Sequence, residues 1–165
     1  MAQPLEKFDE QSSSVMAKRA PKIIAINHDN YHAEYVGRTA DKRQFFLTQA
    51  FVSASHDGSN AGREFLALYL FDDKGELLEA KIDDLGVREG LDEDYARSLF
   101  KDRLAELCKV SFRRIKVAPF SLERFGVTFG LIAHAPEEDD DDWSVTVEPG
   151  DFMCFYPPWN GDYDT

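Results

Sequence analysis

The segment Glu64-Phe65-Leu66-Ala67-Leu68-Tyr69-Leu70-Phe71 contains one of the longest apolar runs of this 165-residue chain. Successive side chains of an extended strand point to opposite faces of its sheet. Leucines occupy one face of this segment, and aromatic residues with an alanine occupy the other. Both faces are therefore apolar, and neither is expected to be exposed to solvent. A strand with two apolar faces is typical of the centre of a sheet. We therefore expect a helix to cover one face, and loops, a second sheet or a partner to cover the other.

Turn-forming residues follow this segment and predict a β-hairpin. Asp72-Asp73-Lys74-Gly75 includes a glycine that can adopt positive φ, and residues 77–82 return as the second strand. Other short segments rich in β-branched and aromatic residues are also predicted to be strands. They are residues 22–27, 33–39, 44–52, 112–118, 125–133, 143–147 and 152–156. The pattern indicates an antiparallel β-sheet meander of roughly seven to nine short strands.

One amphipathic helix is predicted over residues 93–108. Asp92 is a suitable N-cap, and Glu93 and Asp94 in the first turn complement the helix dipole. Cys108 is expected to fill a small space in the core, because a free cysteine is usually buried. The predicted fold class is therefore α+β, a β-sheet meander with one main amphipathic helix packed on it. The apolar stripe recurs at helical spacing and consists of Ala96, Leu99, Phe100, Leu104, Leu107 and Cys108.

Composition and length favour one globular domain. Hydrophobic residues make up 43% of the chain and charged residues 30%, which is enough for a single core. Residues 1–20 show no sustained apolar period and are predicted to form a flexible tail, leaving residues 21–165 as a single α+β domain. No apolar run approaches the roughly 18 residues of a membrane-spanning helix, so no membrane partner is expected. Two cysteines and no signal-peptide pattern indicate a cytoplasmic protein.

Negative charge is concentrated near the C-terminus. The chain has 31 acidic and 19 basic residues, and residues 136–165 contain ten of the acidic residues and no Lys or Arg. Residues 1–135 are therefore close to neutral. Direct nucleic-acid binding is not expected, because it depends on Lys and Arg that neutralise phosphates.

Six consecutive carboxylates form an acidic loop at residues 137–142. They repel one another and cannot be buried without partners, so the loop must be solvated. One interpretation is that the loop serves solubility, and the other is that it attracts a basic partner. The spacing lacks the glycine and the final glutamate of an EF-hand calcium loop.

The segment at residues 155–165 is aromatic as well as acidic. Pro157 and Pro158 end the preceding strand, and Asn160-Gly161 is a strong turn pair. Its large aromatic side chains either fold back over the sheet or, with an acidic rim, form a protein-binding hot spot. In the second interpretation the binding residues are Trp159, Tyr163, Tyr156, Asp162, Asp164, Asp151, Asp139, Asp140, Asp141 and Asp142.

Sequence patterns for catalysis are missing. The chain has no nucleophile elbow, Walker loop or dinucleotide-binding glycine pattern. His28 and His32 are four residues apart, but the intervening Asp-Asn-Tyr favours a turn and no third ligand lies nearby. We therefore predict no catalytic residue, no metal site and no cofactor.

An alternative site is a small-molecule pocket beside the strand at residues 125–133. Gly126, Thr128 and Gly130 share one face of that predicted strand, so that face carries little side-chain bulk. An aromatic side chain of the same chain, or a ligand, can lie against it. In the second case the protein is a sensor or enzyme that uses His32, Glu34, Arg38, Gly126 and Gly130.

Several groups of residues occur in the order seen in a bacterial family of small proteins. They are Gly37-Arg38-Thr39 with Gln44-Phe45-Phe46, residues 68–72 with Gly75, residues 127–131, and the ending Pro158-Trp159-Asn160-Gly161-Asp162-Tyr163-Asp164-Thr165. Over about residues 21–165 the chain resembles the family labelled formate hydrogenlyase regulatory protein, of the HycA-like type. The family ending has Asp where this chain has Asn160. The resemblance implies a compact bacterial cytoplasmic domain with a regulatory role and brings no catalytic residues.

The predicted function is a non-catalytic, acidic protein-binding module that masks or modulates a basic protein partner, as immunity and regulatory proteins do. The alternative is a small-molecule sensor or enzyme with the pocket beside residues 125–133. A homodimer joined through exposed strands is a third interpretation.

Overall fold

The computed structural model describes residues 19–54 and 62–165. All but the last two residues of the predicted N-terminal tail, and most of the predicted loop at residues 53–62, lie outside the described residues. Within the described ranges the chain forms mostly antiparallel β-sheets and one helix. The elements are β1 (Ile24–Ile26), β2 (Val36–Thr39), β3 (Gln44–Val52), β4 (Arg63–Phe71), β5 (Leu77–Val87), α1 (Glu93–Glu106), β6 (Val110–Phe112), β7 (Ile115–Val117), β8 (Phe120–Arg124), β9 (Val127–His134), β10 (Ser144–Glu148), β11 (Cys154–Phe155) and β12 (Asn160–Gly161).

A five-stranded antiparallel sheet forms the centre of the molecule, in the order β5-β4-β3-β2-β6. Strand β4 pairs with β3 on one side and with β5 on the other, and eight of its nine residues are buried. The predicted central strand is therefore confirmed. The β4–β5 hairpin is also confirmed, with Gly75 at a φ of 97° in its turn.

Two smaller sheets complete the fold. The four-stranded sheet has the antiparallel order β11-β10-β9-β8, and the three-stranded sheet has the order β12-β1-β7. In the latter, β1 runs antiparallel to β7 and parallel to β12. Because β1 and β12 lie at opposite ends of the described chain, this pairing brings the C-terminal segment back to the first strand.

The two faces of the five-stranded sheet contribute to two hydrophobic clusters, as the alternation in β4 predicts. The larger cluster joins Phe65, Ala67, Tyr69 and Phe71 to apolar residues of the two smaller sheets. On the opposite face, leucines of β4 and Phe45 and Leu47 of β3 pack with partly buried residues of α1. A helix thus covers one face of β4, and the smaller sheets cover the other. The α1 residues in this second cluster are Leu99, Phe100 and Leu104.

Helix α1 begins where the sequence predicts. The Tyr95 backbone N–H donates a hydrogen bond of 3.0 Å to Oδ1 of the N-cap residue Asp92. The helix ends at Glu106 instead of residue 108, and Leu107 is its C-cap. Cys108 has a φ of 63° and is exposed, so the prediction that it fills a core space is wrong. Its backbone turns away at the helix end, which directs the thiol outward.

Two predicted strands are divided or shifted by turns. Phe125 and Gly126, with φ of 56° and 72°, form the two-residue turn between β8 and β9, so Gly126 does not belong to the strand. Strand β8 was not predicted, although its Phe120-Ser121-Leu122-Glu123 alternates apolar and polar residues directly after Pro119. The predicted strand at residues 112–118 is divided into β6 and β7 by Arg113 and Arg114.

Candidate functional site

The C-terminal segment at residues 155–165 is held in place by backbone hydrogen bonds to distant strands. The Ala25 N–H donates to the Trp159 carbonyl at 3.2 Å, and the Asn27 N–H donates to the Gly161 carbonyl at 3.1 Å. Cys154 and Asp164 exchange two further bonds of 2.8 and 2.9 Å. The acidic residues near the end of the chain are therefore carried on a backbone with a defined position.

The aromatic residues of this segment differ in their exposure. Trp159 and Tyr163 are half-buried and pack against the larger hydrophobic cluster, whereas Tyr156 is 46% exposed. Each of the two half-buried side chains thus buries part of its apolar surface and keeps part accessible. Asp151, Asp162 and Asp164 are exposed around them.

Tyr163 is fixed by a hydrogen bond that the sequence analysis did not foresee. Its hydroxyl donates to Oδ2 of Asp29 at 2.5 Å and accepts from the His32 backbone N–H at 3.2 Å. Burial, followed by the hydrogen bond to Asp29, raises the pKa of Tyr163 to about 12. Burial alone would raise the pKa of Asp29, but its hydrogen bonds from Tyr163 and from the backbone N–H groups of Tyr31 and Ala33 outweigh burial and lower that pKa.

A cleft of about 430 Å³, which we call the C-terminal cleft, lies on one side of this segment. Thr146 at its floor is buried, and its hydroxyl donates to Glu148 Oε2 at 2.6 Å. His134 Nε2 lies 2.8 Å from the same hydroxyl oxygen. Because the single hydroxyl proton goes to Glu148, His134 donates to Thr146 in this arrangement. The cleft is lined by His134, Ser144, Thr146, Asp151, Cys154, Tyr156, Asp164 and Thr165.

Tyr156, Asp151 and Asp164 add polar groups to the lining of the C-terminal cleft. The pKa of Tyr156 is raised to about 12. The largest cause is the neighbouring Cys154 side chain, followed by burial and by the Asp164 and Asp151 carboxylates. Tyr156 therefore stays neutral near pH 7 and adds no charge of its own. A second cleft, of about 480 Å³, lies beside Asp29, Tyr31, Asp162 and Tyr163, and Thr165 lines both clefts.

The acidic loop at residues 137–142 is attached to the C-terminal cleft through the two strands that it joins. It connects β9 to β10, and the residues that end and begin these strands, His134 and Ser144, both line that cleft. All six carboxylates are exposed, and within residues 19–54 and 62–165 none of them forms an ion pair. The six carboxylates are therefore exposed on a connection whose two ends adjoin the C-terminal cleft.

The residues of the alternative pocket lie on different parts of the fold. His32 and Glu34 precede β2, and Arg38 lies within β2 of the five-stranded sheet. Gly126 is exposed in the β8–β9 turn, and Gly130 lies in β9 of the four-stranded sheet. A Cβ atom on Gly130 would be 2.1 Å from the Phe120 carbonyl oxygen, so the neighbouring strand β8 occupies the space beside that glycine.

His32 packs more closely against the C-terminal region than against the other residues of the alternative pocket. Its ring lies 6.2 Å from the Tyr163 ring and 5.2 Å from the Phe152 ring, measured between centroids. Burial lowers the pKa of His32, and the Asp29 carboxylate opposes this shift only in part. His32 is therefore neutral near pH 7 and supports the aromatic packing around Tyr163.

The sequence analysis missed Asp29, Thr146 and Glu148 as site residues. Asp29 and Tyr163 are 134 positions apart, so no local pattern joins them. Thr146 and Glu148 do follow a local pattern, because they alternate with Val145 and Val147 on the polar face of β10. That alternation was the only signal by which these two residues could have been found.

In the described part of the chain no group of three or more His, Cys, Asp or Glu side chains is arranged to hold a metal ion. No helix among those residues is both long and apolar enough to cross a membrane. A scan against protein-family models, a search of curated proteins and a search of solved structures return no match. The resemblance to the formate hydrogenlyase regulatory family stays a prediction.

Proposed function

We propose that this protein is a non-catalytic binding module that masks or modulates a basic protein partner. The binding surface in this proposal comprises the acidic loop, the C-terminal cleft and the exposed part of the C-terminal segment. As with immunity and regulatory proteins, activity would consist of occupying a surface of the partner and not of transforming a substrate.

The arrangement of carboxylates around the C-terminal cleft carries the proposal. Asp151 and Asp164 line the cleft, the acidic loop joins the two strands that border it, and Asp162 lies on the adjoining segment. Like charges held close together repel one another and reduce stability slightly. Residues 136–165 contain no Lys or Arg that could compensate them. A basic partner supplies the missing positive charges and speeds association by electrostatic attraction.

Partly buried aromatic residues support the same function. Tyr156 exposes its ring at the cleft, and the exposed parts of Trp159 and Tyr163 adjoin it along the chain. Tyrosine and tryptophan are enriched at the centres of protein interfaces, because they bury a large area at a small cost in side-chain entropy. Aromatic faces also attract Lys and Arg side chains directly.

The proposal is tested with a short peptide of alternating lysine and serine, whose binding is measured by isothermal titration calorimetry and mapped by NMR. We expect shifts at Tyr156, Thr146 and Asp164, and weaker binding at higher salt because exposed charges are screened. The variant Asp139→Asn, Asp140→Asn, Asp141→Asn, Asp142→Asn is expected to weaken binding about tenfold.

A charge-matched variant makes this test specific. Asp73, Glu79, Glu89 and Asp102 are exposed and lie outside the proposed surface, so their replacement by Asn or Gln removes the same number of charges. We expect this control to weaken binding less than about threefold, through the long-range field alone. Equal losses in the two variants, or equal binding of a glutamate–serine peptide, would contradict a dedicated binding surface.

One observation favours the alternative function, a small-molecule sensor or enzyme. The chain of hydrogen bonds from His134 through Thr146 to Glu148 adjoins the C-terminal cleft, at the end of β9. Such a chain can orient a bound polar molecule. A thermal-shift screen with small cationic and polar metabolites tests this function, because a ligand that binds only the folded state raises the melting temperature.

A further inference from the structure

A third cleft, whose lining contains two basic residues and one acidic residue, lies on the other side of the five-stranded sheet. It has a volume of about 510 Å³ and lies between the N-terminal half of α1 and the helix-facing side of that sheet. We call it the helix–sheet cleft. Its size falls within the range of roughly 300–1,000 Å³ that is typical of small-molecule sites. It is lined by Tyr35, Gln49, Leu91, Glu93, Ala96, Arg97, Phe100 and Lys101.

The cleft exists because the helix is attached to the sheet mainly through its C-terminal half. Arg103 donates two hydrogen bonds of 2.8 Å to the Asp83 carboxylate of β5, and Lys81 of β5 donates to Glu106 at 3.1 Å. Gln49 follows Phe45 and Leu47 on the helix-facing side of β3, yet it is exposed. The helix therefore leaves the β3 end of this face uncovered.

The floor of the helix–sheet cleft is apolar. Ala96 is 8% exposed, and Phe100 packs edge-to-face on Tyr35 with their centroids 4.5 Å apart. Leu91 closes the end near the helix N-terminus. Alanine at position 96 leaves space that a larger side chain of the same helix would fill.

The rim of the cleft carries positive charge in a strongly acidic molecule. Arg97 and Lys101 are four residues apart and therefore project from the same side of the helix. Arg97 contacts Asp94 at 3.1 Å, but both side chains are largely exposed, so this pair is weak and readily exchanged. Lys101 forms no ion pair within residues 19–54 and 62–165.

Glu93 determines the orientation of an anion in this cleft. It precedes Arg97 by four residues and Lys101 by eight, which correspond to about 6 and 12 Å along a helix, so Lys101 is the basic residue farther from it. A carboxylate is therefore repelled from the Leu91 end and attracted to the Arg97–Lys101 end. The apolar floor is left for a hydrocarbon or aryl group.

From these observations we infer that the helix–sheet cleft binds a small amphipathic monocarboxylate, with its carboxylate at Arg97 and Lys101 and its hydrocarbon part on Phe100, Ala96 and Tyr35. This inference does not rest on the proposed protein-binding function, because the two sites share no residue. The ligand class is defined by one negative charge joined to a tail of fatty-acid or arylalkanoate type.

The test measures binding of butanoate, hexanoate and octanoate to the full chain by isothermal titration calorimetry and NMR. Each methylene that enters the apolar floor is expected to strengthen binding about three- to fourfold. Octanol, which has the same tail without the charge, is expected to bind at least about tenfold more weakly than octanoate. Resonances of Ala96 and Gln49 are expected to shift on binding.

Two variants locate the site. Replacing Arg97 and Lys101 by Gln is expected to weaken octanoate binding about tenfold or more, whereas replacing the exposed Lys74 and Arg124 by Gln is expected to leave it unchanged. Ala96→Leu fills the floor and is expected to weaken octanoate and octanol alike. Equal affinity for octanoate and octanol, equal effects of the two glutamine variants, or no binding of any of these compounds to the folded chain would overturn the inference.

Discussion

Strand β4 and the C-terminal segment at residues 155–165 are both fixed in the fold, but by different means. Strand β4 pairs along its whole length with two strands that are its neighbours in sequence, and its side chains are buried on both faces. The C-terminal segment is held by a few hydrogen bonds, most of them to residues more than a hundred positions away, and its aromatic residues range from the fully buried Phe155 to Tyr156, which is 46% exposed. The stability of the molecule therefore resides mainly in the central sheet, and the C-terminal segment is free to present charge to solvent.

The two regions also differ in whether their charged side chains form ion pairs. Around the five-stranded sheet, several acidic side chains are paired with Arg or Lys, as in Arg103–Asp83 and Arg63–Asp84 at 2.8 Å. In the C-terminal region the carboxylates have no such partners among the described residues. Substitutions in the first region are thus expected to change stability, and those in the second mainly to change binding.

The largest expected loss of stability follows truncation of the β4 core. Phe65 is fully buried, and its ring packs edge-to-face on Phe129 of the four-stranded sheet with centroids 5.1 Å apart. Phe65→Ala removes this contact between two sheets and is expected to reduce the free energy of unfolding by about 3–5 kcal/mol. Urea denaturation followed by circular dichroism measures the change.

A matched substitution on the exposed surface separates burial from strand propensity. Leu78 of β5 is 57% exposed, and Leu78→Ala is expected to change the free energy of unfolding by less than about 0.5 kcal/mol. If Phe65→Ala cost no more than this control, the assignment of the main core to the β4 face would be wrong.

The next largest effect concerns the pairing of the C-terminal segment with β1. Gly161 has a φ of 102°, and a Cβ atom there would be 2.4 Å from the Asn27 side-chain oxygen. Gly161→Ala is expected to reduce the free energy of unfolding by about 1–3 kcal/mol, because L-residues are strained at this φ. Hydrogen exchange is expected to show the loss of protection at Asn27, whose N–H donates to the Gly161 carbonyl.

Gly126 provides the control for this substitution. It also has positive φ, at 72°, but no atom lies within 4 Å of the position that a Cβ atom would occupy there. Gly126→Ala therefore introduces the backbone strain without a close contact, and it is expected to cost less than Gly161→Ala, about 1 kcal/mol. Comparable losses for both substitutions would show that positive φ alone, and not the contact with Asn27, determines the cost.

A smaller effect is expected from the hydrogen bond between Tyr163 and Asp29. Tyr163→Phe removes the donor and is expected to cost about 1 kcal/mol at neutral pH. Because the pKa of Asp29 is below its ordinary value of 3.8 in the folded chain, this bond stabilises the fold above that pH. Its contribution is lost as the pH falls through the folded pKa, so the difference between the parent and variant must shrink in acid.

NMR titration of Asp29 provides an independent measurement of the same effect. We expect the pKa of Asp29 to rise in the Tyr163→Phe variant and to stay unchanged in Tyr156→Phe, whose hydroxyl makes no hydrogen bond to Asp29. An unchanged Asp29 pKa in both variants would contradict the proposal that the hydrogen bond from Tyr163 to Asp29 fixes the C-terminal segment.

The sequence predicted the central sheet well because its determinants are local. Alternation in β4 and the Asp72–Gly75 turn are contained in a few consecutive residues, and both features are confirmed. The two-residue strand β12 was harder to predict: Asn160-Gly161 was expected to form a turn, but it pairs with β1, a partner that only the rest of the fold supplies. Cys108 was placed wrongly because a helical period cannot show where the backbone leaves the helix.

The candidate site was predictable in composition but not in geometry. The run of carboxylates and the aromatic ending could be read from the sequence, whereas the C-terminal cleft, with His134 and Ser144 of β9 and β10 in its lining, could not. The partner Asp29 required the tertiary fold, because it lies 134 positions from Tyr163. The space beside Gly130, which the sequence left open to another backbone, an aromatic side chain or a ligand, is occupied by the backbone of β8.

The smallest expected effect on stability belongs to the acidic loop. Replacing Asp139, Asp140, Asp141 and Asp142 by Asn removes mutual repulsion among exposed charges and breaks no ion pair within the described residues. The free energy of unfolding is expected to stay within about 0.5 kcal/mol of the parent value. At low salt, where repulsion is least screened, any change is expected to make the variant more stable than the parent. A loss above about 1 kcal/mol would mean that the loop stabilises the fold, and the contrast between a stabilising centre and a binding surface would then fail.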